Sequence, residues 1–92
     1  MWLKMETKMK IKSIRSTGSC CPAQWEGITD KNEAIYIRYR WGRLTIQRSK
    51  PNGTIRDAIN EGKLLYSEQI GEECDGVIML EEVLEIIEKK GL

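Results

Sequence analysis

The 92-residue chain contains no histidine. That removes the commonest general base at neutral pH, and with it every catalytic triad of the Ser-His or Cys-His type. Cysteine is scarce: Cys20, Cys21 and Cys74 make an odd count, two of them adjacent, and no Cys-x-x-Cys pair occurs. Adjacent cysteines close only a strained ring, and a zinc site needs four ligands at usable spacing, so neither a disulfide framework nor a resident metal is expected. Long apolar runs are missing too. The stretch from Val77 to Leu80 is far too short to cross a bilayer, and the opening MWLKMETK lacks the apolar core of a secretory signal. A cytoplasmic location without membrane contact is the resulting expectation. No internal repeat or low-complexity tract is present.

What remains, 40% hydrophobic and 32% charged residues, is the composition of a globular domain, and the length suits a single one. The net charge of +1 hides an asymmetry. Residues 1–50 hold eleven Lys or Arg against four acids, a charge of +7, and residues 51–92 hold four against ten, a charge of −6. Two such halves can attract each other within one monomer.

Met9 to Arg15, MKIKSIR, alternates like a half-solvated first strand and leaves residues 1–8 as a mobile extension. STGSCCP then reads as a loop, with Pro22 holding Cys21 extended. AQWEGIT, residues 23–29, is a second strand closed by Asp30, Lys31 and Asn32. A turn centred on Lys31 and Asn32 sets Trp25 opposite Arg38, favourable for cation–π contact, but also Glu26 opposite Ile37 on the apolar face, a conflict that a bulge near Gly27 would repair. The register stays open at this level.

In IYIRYRWGRL, residues 35–44, the apolar parity is odd through Ile35, Ile37 and Tyr39, then even through Leu44 and Ile46. A straight strand cannot switch faces. A tight reversal at Trp41 and Gly42 reconciles the two, pairing Arg40 with Arg43, Tyr39 with Leu44 and Ile37 with Ile46. One face then carries the apolar residues, and the other carries Tyr36, Arg38, Arg40, Arg43, Thr45 and Gln47. Tryptophan is a disfavoured turn residue, so a bulge around Gly42, spreading the arginines along one longer strand, is the competing geometry.

KPNG reads as a loop, and Thr54 as the N-cap of a short helix, about 54–61, with Asp57 completing a capping box and Gly62 as its stop. KLLYSEQI, residues 63–70, is strand-like with Leu64 and Tyr66 on one face, and an acidic turn occupies 71–76. Leu80, Val83, Leu84 and Ile87 stand at helical spacing in a C-terminal helix, about 79–90. Glu81 and Glu82 in its first turn, Lys89 and Lys90 in its last and Gly91 beyond agree with the helix dipole. The fold class expected is α+β: a small, mostly antiparallel sheet of four or five strands with the C-terminal helix packed on its apolar face.

Cys20 and Cys21 have no partner base, and Glu72, Glu73 and Asp75 read as a solvated turn, so no catalytic residues are assigned and no enzyme is expected. Residues 71–82, GEECDGVIMLEE, partly match an EF-hand calcium loop, but Gly71 stands where the first aspartate belongs and the preceding segment reads as strand. An acidic turn feeding the last helix is the simpler reading, and no cofactor is assigned.

Arg40 beside Arg43 brings like charges together and calls for compensation. The acidic half of the chain could cover them, as could a phosphate-bearing ligand or a partner's acidic surface. The candidate ligand-binding residues are Trp25, Tyr36, Arg38, Arg40 and Arg43, the aromatics as stacking platforms. Duplex nucleic acid is disfavoured by the near-zero net charge. A homodimer is compatible with the same reading.

CPAQWEG, YIRYRWG and LYSEQIGEECDG ahead of an amphipathic helix together resemble a group of small bacterial and phage or prophage-encoded proteins, over residues 20 to about 87. The resemblance carries no assigned activity or site residues. Its implication concerns class: phage accessory proteins often act by sequestering a ligand or blocking a host protein, so it points to stoichiometric binding. The reading is therefore a non-enzymatic module that binds an anionic, nucleotide-like molecule, with an acidic protein surface as the alternative.

Overall fold

A computed structural model describes residues 9–19, 22–72 and 77–92. The proposed extension at 1–8 and all three cysteines lie outside the described residues. The fold is α+β. Strands β1 (Ile11–Ser19), β2 (Ala23–Thr29), β3 (Glu33–Arg40), β4 (Arg43–Pro51) and β5 (Lys63–Gln69) form one antiparallel sheet in chain order, with α1 (Ile55–Glu61) between β4 and β5 and α2 (Leu80–Lys89) after β5. Among the described residues no helix is long and apolar enough to cross a membrane.

Alternation along the central strands gives the sheet two different faces. Ala23, Trp25, Ile35, Ile37, Tyr39, Leu44 and Ile46 point one way and pack with Ile78, Val83 and Ile87 into the main core. Ala34 and Tyr36 point the other way and meet Ala58 and Ile55 of α1 in a smaller cluster. Each helix therefore takes its own face. The cap of α1 is the one the sequence predicts: Thr54 Oγ1 accepts from the Asp57 N–H at 3.1 Å, and Asp57 Oδ2 accepts from the Thr54 N–H at 2.9 Å.

Several expectations are corrected. The β2–β3 connection is a three-residue loop, Asp30 to Asn32, with Asn32 left-handed at φ 62° and its N–H donating to Thr29 O at 3.0 Å. This is the loop length that ends in a left-handed residue, and it moves the register by one from the two-residue turn expected. Trp25 thus pairs with Ile37 rather than Arg38, Glu26 pairs with Tyr36, and Gly27 needs no bulge. Gly27 instead allows β1 to approach, since a Cβ there would sit 2.6 Å from Ser13 O.

Strand β1 continues to Ser19 where a loop was expected, because a register shift between Ser16 and Gly18 keeps Gly18 and Ser19 paired with Gln24 and Ala23. An earlier shift between Ile11 and Ser13 puts Ile11 and Ile14 on the same face despite opposite parity. Strand β4 likewise runs into the expected KPNG loop, with Pro51 at its very end where a missing N–H costs nothing.

In β5 a shift at Leu65 places Tyr66 opposite Ile46 on the core side but Leu64 opposite Gln47 on the other, so the two do not share a face. In α2, Val83 and Ile87 are buried and Leu80 and Ile86 half-buried, while Leu84 is 38% exposed at the rim.

Candidate functional site

The β3–β4 reversal is a two-residue turn with both residues left-handed, Trp41 at φ 57° and Gly42 at φ 74°. That is the type I′ geometry, whose twist matches the flanking strands. Arg40 pairs with Arg43, Arg38 with Thr45 and Tyr36 with Gln47. All six residues therefore project from the α1 side of the sheet. Helix α1 covers only the half far from the turn, where Gln47 Nε2 donates to Ile59 O at 3.3 Å. Toward the turn lies an open depression of about 300 Å³ lined by Arg38, Arg40, Trp41, Arg43 and Thr45.

The turn is clamped from outside the hairpin. Ile70 and Gly71 N–H groups donate to Gly42 O at 2.9 and 3.0 Å, and Gln69 Nε2 donates to Trp41 O at 2.6 Å. The chain leaving β5 thus fixes the turn backbone and leaves the indole outside. Trp41 is 62% exposed, with the Arg40 guanidinium carbon 5.1 Å from its ring centroid, a cation–π contact.

The three guanidiniums differ in setting. Arg43 Nη1 donates to Ser67 Oγ at 3.0 Å, which orients the side chain without neutralising it. Arg40 is exposed over Trp41. Arg38 is half-buried, and its Nε is buried with no hydrogen-bond acceptor among the described residues. The ion pairs among those residues are Arg15 with Glu26 at 3.4 Å and Arg48 with Glu33 at 3.7 Å, and neither reaches the depression. The acids of α2, Glu81, Glu82, Glu85 and Glu88, belong to the helix packed on the opposite face.

The two proposed stacking aromatics are not on offer there. Trp25 is 7% exposed and lies in the main core, carried to the other face by the one-residue change of register. Tyr36 does lie on the arginine face, but it is 9% exposed beneath α1, and its hydroxyl accepts from Gln24 Nε2. The accessible aromatic is Trp41. Its signal in the sequence was its very unsuitability: an indole where a hairpin turn favours asparagine.

Comparison with protein-family models, curated proteins and solved structures finds no match for this chain. The site's chemistry therefore rests on its own residues. No group of three or more His, Cys, Asp or Glu side chains suited to a metal occurs among the described residues. The partial calcium-loop likeness spans 71–82, of which 73–76 lie outside the described residues, and strand β5 rather than a helix precedes it.

Proposed function

We propose that this protein is a small non-enzymatic binding module that holds an anionic, phosphate-bearing ligand in the depression formed by Arg38, Arg40 and Arg43. One observation carries the reading: three guanidiniums share one uncovered half-face, and none of them is in an ion pair among the described residues. Guanidinium forks match phosphate oxygens with two parallel hydrogen bonds. The proposal places the protein in the cytoplasm, as a phage or prophage accessory protein acting by sequestration. The test is a thermal-shift panel of inorganic phosphate, polyphosphate and nucleotides at low salt. Stabilisation is expected with the wild type and its loss with Arg38→Ala.

An acidic protein surface is the second reading, favoured by the solvent-facing Trp41 at the apex of the hairpin, since Trp and Arg dominate interface energetics. A silent panel, together with a defined protein captured from lysate by the wild type but not by Arg43→Glu, would establish it over the first.

A further inference from the structure

Trp41 presents two oddities at once. A bulky residue held at φ 57° is a backbone outlier, and such outliers persist where the surroundings enforce them and function uses them. The enforcement is visible in the Gln69 Nε2 bond to Trp41 O and the two N–H donors on Gly42 O. The indole gains little burial in return, being 62% exposed although it lines the arginine depression. Neither turn geometry nor core packing accounts for an indole here, because asparagine or glycine would suit the turn better.

Building on the anion-site reading above, we infer that Trp41 is a stacking platform and that the ligand class is a nucleotide, its phosphates on Arg38 and Arg43 and its base on the indole. Arg40 already lies over the ring at 5.1 Å, so the base either takes the free remainder of the ring or inserts between ring and guanidinium, both of them favourable partners for a π face. The depression is open, so the base is held by stacking rather than read along its hydrogen-bonding edge. Discrimination among the four bases is accordingly weak.

The decisive variant is Trp41→Asn, which installs the Asn-Gly pair that a type I′ turn prefers and so keeps the hairpin. Adenosine triphosphate and inorganic tripolyphosphate are titrated calorimetrically onto the full chain and onto this variant. Stacking contributes on the order of tenfold or more in affinity per base. The wild type should bind the nucleotide tighter than tripolyphosphate by about that factor, and Trp41→Asn should erase that difference. Equal binding of both probes by the wild type, or a preference that survives the substitution, overturns the stacking role and leaves the anion site standing. No binding of either probe overturns both.

Discussion

Arg40 and Arg43 face each other across the hairpin, and neither is in an ion pair among the described residues that would offset the repulsion. Arg43→Glu should therefore stabilise the fold by roughly a few tenths of a kcal/mol, by turning a repelling cross-strand pair into an attracting one. The same change should abolish phosphate-dependent thermal stabilisation. Urea unfolding and a thermal-shift assay on one preparation would show stability and binding moving in opposite directions. Gly42 makes the complementary case. A Cβ there would lie 2.3 Å from Glu72 O and 2.5 Å from Gly71 O, at φ 74°. Gly42→Ala is expected to cost about 2 kcal/mol in urea unfolding, because both the backbone conformation and the clamp resist it.

The helices were legible in the sequence because capping and periodicity are local signals. Thr54 and Asp57 cap each other, and the backbone hydrogen bond from Thr54 holds the Asp57 carboxyl below the usual carboxylate range. A depressed folded-state pKa gives stability that is present above the ordinary value and lost as pH falls through the lowered one. Thr54→Ala should cost about 1 kcal/mol at neutral pH, and the gap between wild type and Asp57→Asn should close on acidification, as followed by circular dichroism melts. In α2 the spacing treats Val83 and Leu84 alike, yet only Val83 is buried. Val83→Ala should cost about 2 kcal/mol and Leu84→Ala well under half of that by the same melts.

The strands were harder because register depends on loop length and bulges. The Trp41–Gly42 reversal was legible from the parity change between Tyr39 and Leu44, and the arginine face came with it. The extra loop residue at Asn32 shows in the sequence only as the clash of Glu26 with Ile37, which a bulge explains equally well, and the irregularity at Leu65 leaves no such trace. Loop length thus decides the face of Trp25, which belongs to the core, and leaves Trp41 as the exposed aromatic at the turn.

For the molecule as a whole, a net charge of +1 leaves little overall self-repulsion, while Arg40 and Arg43 remain a like-charge pair across the hairpin. Raising salt from about 20 mM to about 200 mM shortens the screening length from roughly 20 Å to roughly 7 Å. The wild type should gain melting temperature over that interval while ligand affinity falls, and Arg43→Glu should show little of the gain. The fold also brings remote parts of the chain together: the Met9 N–H donates to Leu92 O at 2.7 Å. Residues 9 and 92 can thus be joined by a short tether and the backbone cut elsewhere. A circular permutant opened in the Asp30–Asn32 loop would keep the guanidinium cluster whole, whereas one opened between Trp41 and Gly42 would retain every strand and lose the recognition surface.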